Sequence, residues 1–172
     1  MNYQAPYQQQ GYYPQFQQAA PGSPATAVVA GLAALGTAAG IGGSSAYFVA
    51  EVPYASDVFE LPPGLQSLVI GRLMLAALAL IGAVMLFARR RAGVPVVAIS
   101  AVLGVASLPL EPFVSELLRG IGLGIGDYFT ALTEFNDSYT ILLAVGAIAG
   151  ILAFFFAVLP STGRWLRGAA RY

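Results

Sequence analysis

The chain has 172 residues, of which 58% are apolar and 9% are charged, and its mean hydropathy is +0.73. An average soluble domain carries about a quarter charged residues, so this composition is typical of an integral membrane protein. The chain lacks cysteine, histidine and lysine, which excludes disulfides, Schiff-base chemistry and the commonest general base. The formal charge of zero leaves no basic field for nucleic acid. We therefore expect a protein that is not an enzyme and that binds no cofactor, metal or nucleic acid.

Residues 1–24 differ from the rest of the chain. The stretch MNYQAPYQQQGYYPQFQQAAPGSP contains seven Gln, four Tyr and four Pro and carries no charged side chain. Such a segment cannot bury enough apolar surface to form a core. The composition predicts a disordered tail. A functional alternative is that the Tyr and Pro residues dock in a partner's aromatic groove.

Four apolar runs follow the tail, and each approaches the 20 or so residues that a helix needs to cross a bilayer. They cover residues 25–50, 65–88, 92–108 and 139–159. A secretory signal peptide is the rival interpretation of the first run, but this run is too long and no positive region precedes it. The pattern predicts an all-α fold, an integral membrane four-helix bundle over residues 25–172. An even number of spans places both termini on one side.

Charge predicts which side that is. All eight acidic residues fall in segments 51–60 and 111–137, whereas six of the eight arginines lie in the other connections. The positive-inside rule counts arginine and lysine near span ends and assigns their side to the cytoplasm. We therefore expect a multi-pass protein of the cell inner (plasma) membrane with cytoplasmic N- and C-termini.

The glycine-rich stretch RGIGLGIGDYF, residues 119–129, resembles a phosphate-binding loop only superficially. It has neither the lysine nor the strand and helix that such a loop requires. At 100° per residue, positions 112–135 instead separate into an apolar and a polar half, which predicts an extracytoplasmic amphipathic helix beginning at Pro112. Two shorter helices broken at 122–126 are the alternative. The apolar half includes Phe113, Leu117, Ile121, Ile125, Tyr128 and Leu132.

The polar half of this helix is acidic, unlike the basic helices that bind anionic lipid headgroups. We therefore expect the helix to contact a partner protein or the spans themselves. A helix that merely covers the end of the bundle is the alternative.

Small residues recur at four-residue spacing in two of the spans. Gly36 and Gly40 lie in the first span, and Gly146 and Gly150 lie in the fourth. Such ladders let helices approach closely in lipid, where hydrophobicity does not drive helix association. The pattern predicts tight packing of spans one and four inside the bundle, and a dimer interface is the alternative.

Arg72 is the one ionisable residue well inside a predicted span. An arginine at mid-membrane costs about 3 kcal/mol on insertion scales, so its side chain must either snorkel outward or pair with a carboxylate. Glu60, Glu111 and Glu116 are the candidate partners. A role for Arg72 in moving ions is the functional alternative.

An uncharged Gln/Tyr/Pro-rich tail, spans rich in Ala, Gly, Val and Leu, and arginine without lysine together resemble the small tetraspan membrane proteins of high-GC actinobacteria. The resemblance is compositional and transfers no functional residue. Together with the missing catalytic residue types, it implies a non-enzymatic accessory or scaffold protein of a membrane or cell-envelope complex. The alternative is a subunit of an oligomeric transporter or channel. The expected partners are the lipid bilayer and either another membrane protein or further copies of the chain.

Overall fold

The computed structural model describes residues 22–51, 58–114 and 124–168. This part of the chain is all-helical, and four of its helices are long and apolar enough to cross a membrane. The prediction of an all-α, multi-pass membrane protein is confirmed at that level. The expected tail falls mostly on residues 1–21, which lie outside the described ranges. The helices are α1 (Pro24–Glu51), α2 (Pro63–Phe87), α3 (Gly93–Val114), α4 (Ile125–Glu134), α5 (Ser138–Val158) and α6 (Pro160–Gly168), and a 3-10 turn covers Val58–Glu60.

The four long helices form a square bundle in which α1 packs against α2 and α5, and α3 packs against the same two helices from the opposite corner. Helix α1 ends, α2 begins, α3 ends and α5 begins at one end of the bundle. We call it the acidic end, because the carboxylates of the described ranges lie in the helices and turns that meet there. The other end, with residues 89–91 and α6, is the arginine end.

Small side chains fill the interior of the bundle. Many of the fully buried residues are alanines, including Ala30, Ala83 and Ala153. Where α1 crosses α5, a Cβ atom added at Gly40 would lie 2.3 Å from the backbone nitrogen of Gly146, so the two backbones touch there. Close approach of this kind supplies the van der Waals contact that holds helices together in lipid.

Helix α3 is longer than the expected third span. It continues through Pro109 and Pro112 to Val114, so Phe113 belongs to α3 and not to a separate interfacial helix. A proline in a helix leaves the carbonyl four residues earlier without its usual N–H partner. For Pro112 that carbonyl belongs to Leu108, and the hydroxyl of Tyr128 lies 3.3 Å from its oxygen.

The expected interfacial helix over 112–135 is also not continuous. Gly124 has an extended backbone, with φ −80° and ψ 161°, and α4 begins after it. This agrees with the alternative of a break within 122–126. The expected apolar residues Leu117 and Ile121 lie outside the described ranges.

The arginine end is closed by α6, an element that the sequence did not predict. The helix of the fourth span ends at Val158, and Pro160 begins this next helix. The guanidinium of Arg89 lies 4.5 Å from the centre of the Trp165 ring, a cation–π contact that joins the turn after α2 to α6. The hydroxyl oxygens of Thr162 and Thr26 are 2.9 Å apart and join α6 to α1.

Candidate functional site

A buried ion pair lies toward the acidic end of the bundle. Arg72 lies on α2 about 14 Å along the helix axis from Pro63. Its Nη2 atom is 2.8 Å from Oε2 of Glu111 on α3, and the two side chains are 2% and 7% exposed. Of the three candidate partners, the structure therefore selects Glu111. Glu60 is exposed in the 3-10 turn, and Glu116 lies outside the described ranges.

The other donors of Arg72 are also engaged. Nε donates to Ser107 Oγ at 3.2 Å, Nη1 donates to the Tyr139 hydroxyl at 2.8 Å, and Nη2 also reaches the Ser107 carbonyl oxygen at 3.4 Å. No buried side-chain nitrogen or oxygen in the described ranges lacks a hydrogen-bond partner. The guanidinium is thus oriented and neutralised by the protein itself, which offsets much of the cost of burying a charge.

Two tyrosines complete the network by donating to the same carboxylate. The Tyr139 hydroxyl, at the start of α5, donates to Glu111 Oε1. The Tyr128 hydroxyl, on α4, donates to Glu111 Oε2 at 2.6 Å. Burial, and next the negative charge of Glu111, raise the pKa of Tyr128 above its usual value, so this hydroxyl keeps its proton. Helix α4 is therefore tied to the bundle through a charge-assisted hydrogen bond.

Local capping positions these tyrosines. The Asp127 carboxylate accepts the backbone N–H of Gly124 at 2.8 Å and fixes the start of α4. Phe135 takes a left-handed conformation, with φ 51°, and ends α4. Asp137 then caps α5 by accepting the Thr140 N–H at 2.8 Å. Two short-range caps and one sharp turn thus bring α4 and the start of α5 to the same carboxylate.

A cavity of about 370 Å³ adjoins the network at the acidic end. Residues of α1, α2, α3, α4 and α5 line it, and side chains of the network form part of its wall. Its wall is predominantly apolar, with aromatic rings and a few carboxylates. The side chains that line it are those of Ser45, Tyr47, Phe48, Glu51, Leu65, Leu68, Val69, Arg72, Glu111, Asp127, Tyr128, Ala131, Leu132, Asp137, Tyr139 and Thr140.

The predicted packing residues lie on the facing sides of the bundle helices. Gly36 meets Ala149, and Gly40 meets Gly146, both between α1 and α5. Gly150 instead approaches Val105 of α3. Of the residues predicted for the interfacial helix, Tyr128 and Leu132 line the cavity, whereas Ile125 on α4 and Phe113 on α3 are exposed.

Sequence reasoning missed the role of the two tyrosines. The sequence pattern places Tyr128 on an apolar helix face, and nothing in it connects Tyr139 with Arg72. One signal was present: Ser107 and Glu111 are four residues apart and so share a face of a helix, a pattern that favours a polar partner such as Arg72. Tyr128 of α4 follows Glu111 by 17 residues, and no comparable sequence pattern indicates that the two side chains meet.

The polar groups at this end do not assemble a metal site, since no group of three His, Cys, Asp or Glu with suitable geometry occurs within residues 22–51, 58–114 and 124–168. The arrangement offers instead a fixed helix, α4, and a cavity with apolar, aromatic and acidic walls. No family model, curated protein or solved structure matches this chain, so the functional conclusion depends on the geometry of α4, of the network and of the cavity.

Proposed function

We propose that the protein is a non-enzymatic accessory or scaffold protein of a membrane or cell-envelope complex. In this proposal it resides in the cell inner membrane, with the arginine end and both termini in the cytoplasm and the acidic end outside. The charge asymmetry supports this orientation, because the connections at the arginine end hold six arginines and no carboxylate.

The proposal rests on the attachment of α4 to the bundle. Its Tyr128 is anchored to Glu111, yet Ile125 and Phe129 on the adjoining side of the helix remain 46% and 42% exposed. A short helix that is fixed in place and keeps large apolar side chains uncovered is suited to dock a partner. Asp127 and Glu134 make the rest of its surface acidic, which favours a protein partner over anionic lipid headgroups.

The network supports a non-enzymatic role. Arg72, Glu111 and both tyrosines are engaged with one another, and a catalytic acid, base or nucleophile needs a proton or lone pair available to a substrate. Each of these groups instead fixes a helix. A scaffold requires such fixed geometry.

The test is co-purification of tagged full-length protein from its native membranes in mild detergent, followed by mass spectrometry. Ile125→Asp places a charge on the exposed apolar side of α4. Thr130→Asp is the matched control, because Thr130 is exposed on the opposite side of the same helix. We expect a stoichiometric foreign protein with the wild type and with Thr130→Asp, and its loss with Ile125→Asp. Absence of such a protein, or equal retention by both variants, contradicts the proposal.

A subunit of an oligomeric transporter or channel is the second candidate. The cavity favours it, because this opening reaches the Arg72 and Glu111 pair from the acidic end. Further along, the bundle is closed by Ile41, which is 1% exposed, and by the contact of Gly40 with Gly146, so a pathway would have to form between copies. Light scattering in detergent separates the candidates, since a homo-oligomer without a foreign partner supports transport.

A further inference from the structure

We propose that the cavity at the acidic end is a binding site for a lipophilic cation, a small molecule with an apolar body and a protonated amine or quaternary ammonium group. Its volume of about 370 Å³ falls in the range of small-ligand sites. The proposal goes beyond the scaffold function and does not depend on it, because Ile125 and Phe129, the exposed apolar residues on which the scaffold proposal rests, do not line the cavity.

The apolar part of the cavity wall favours a ligand whose body is apolar. Leu65, Leu68 and Val69 of α2 line one side, and Ala131 and Leu132 of α4 line another. Burying apolar ligand surface against such side chains yields roughly 25 cal/mol per Å². A fully hydrophilic cation, such as an inorganic ion, would leave this surface unused.

The aromatic rings of the wall favour a positively charged ligand. The cavity is lined by Tyr47, Phe48, Tyr128 and Tyr139. The centres of the Phe48 and Tyr139 rings lie 6.1 Å apart with their planes at 51°, so the two rings are neighbours in the wall. The faces of aromatic rings attract amines and quaternary ammonium groups within about 6 Å.

Carboxylates reinforce this preference. Glu51, Asp127 and Asp137 line the cavity. The side chains of the two aspartates accept hydrogen bonds from backbone N–H groups, and these bonds leave their negative charge in place. Arg72 is the one basic residue of the described ranges at this end, and Glu111 neutralises it. Its donors are already engaged, so an anionic headgroup would find no free guanidinium. A cation is therefore attracted and an anion repelled.

Three probes of one shape and different charge test the proposal: phenylbutylamine, phenylbutanol and phenylbutyrate. The full-length protein is placed in nanodiscs of zwitterionic phosphatidylcholine, and saturable binding is measured by equilibrium dialysis against empty nanodiscs. We expect the amine to bind at least about tenfold more tightly than the alcohol and the acid to show no saturable binding. Equal affinities, or uptake no greater than that of empty nanodiscs, would overturn the proposal.

Variants locate the site. The double change Glu51→Gln with Asp127→Asn removes two charges from the wall. Both residues are exposed, and the amide oxygen of the new Asn can still accept the Gly124 N–H, so the fold should tolerate the change. Glu134→Gln is the matched control, because it removes a charge from α4 outside the cavity. We expect the amine to lose about tenfold in affinity with the double variant and to be unaffected by the control. Equal losses would show a diffuse surface attraction and refute a site.

A third variant tests the cavity itself. Ala131→Trp fills the space while leaving every charge in place. We expect it to abolish saturable binding of both the amine and the alcohol, with helical content by circular dichroism unchanged. Retained binding by a folded variant places the probe elsewhere and overturns the assignment.

Discussion

A Cβ atom at Gly40 of α1 would stand 2.3 Å from the backbone nitrogen and 2.4 Å from the Cα atom of Gly146 on α5. Real Cβ atoms do not approach backbone so closely, so the separation of α1 and α5 is set by the absence of two side chains. This interface is the most extensive in the bundle. Its geometry therefore depends on single methyl groups.

Gly40→Ala should destabilise the bundle. The added methyl forces α1 and α5 apart, and overpacking of this kind costs about 1–3 kcal/mol. Gly71→Ala is the matched control, because a Cβ atom there meets nothing within 4 Å and helix propensity favours alanine by up to about 1 kcal/mol. Thermal unfolding in detergent should show a lower Tm for Gly40→Ala and an equal or higher Tm for Gly71→Ala. An unchanged Tm for Gly40→Ala would mean that α1 and α5 are packed less closely than in this structure.

Removing one partner of the ion pair between Arg72 and Glu111 should lower the free energy of unfolding more than removing both partners. Glu111→Gln leaves the buried Arg72 charge uncompensated, for which about 3–5 kcal/mol is usual. Arg72→Met combined with Glu111→Leu removes both charges. The double variant should be destabilised by less than the sum of the losses measured for Arg72→Met alone and Glu111→Leu alone. A double-mutant cycle from denaturant or thermal unfolding measures the coupling. Additive effects would indicate that the pair is not formed in the membrane.

Tyr128→Phe should loosen α4 and leave the bundle intact. It removes the donor to Glu111 Oε2, and hydrogen bonds to charged groups contribute about 1.5–3 kcal/mol. Hydrogen exchange of residues 125–134 should become faster while exchange in α1 and α5 stays unchanged. Thr130→Val is the control, since the described bond of that hydroxyl is to Gly126 within α4. Equal protection in wild type and Tyr128→Phe would show that other contacts hold the helix.

The attachment of α4 should resist moderate alkali and weaken beyond it. Burial raises the pKa of Tyr128 in the folded state, whereas the pKa of an unfolded tyrosine is about 10. The folded state therefore holds its proton more tightly, and this stabilisation is complete below pH of about 10 and falls as pH rises further. Exchange protection of α4 should be flat from neutral pH to about pH 9.5 after correction for intrinsic rates. Tyr128→Phe should reduce the decline that follows.

The absence of natural cysteine makes the proposed orientation simple to test. Glu134→Cys on α4 and Arg167→Cys on α6 are single labelling sites at opposite ends of the bundle. In intact cells a membrane-impermeant maleimide should label Glu134→Cys, and Arg167→Cys should react only after permeabilisation. The reverse pattern would invert the orientation and place α4 in the cytoplasm.

The four spans were predictable because length and hydropathy are local properties. The extent of α3 was not, since the hydroxyl of Tyr128, a residue 20 positions later in the chain, lies beside the carbonyl that Pro112 leaves without its usual donor. The partner of Arg72 could be narrowed to three carboxylates, but choosing Glu111 required knowing that α3 continues past Pro109. The cavity is lined by residues of five helices, α1 to α5, and no local pattern encodes it.

The order in which α2 and α3 are synthesised gives the ion pair a consequence for biogenesis. Arg72 is made 39 residues before Glu111, an interval of roughly 2–8 s at usual elongation rates. During that time α2 carries a charge without its counter-ion, which makes its transfer into lipid less favourable. We expect α2 to wait at the translocon until α3 emerges, so that the two helices are released together as a hairpin. Glu111 would thus act first as a signal for membrane integration and only later as a structural residue.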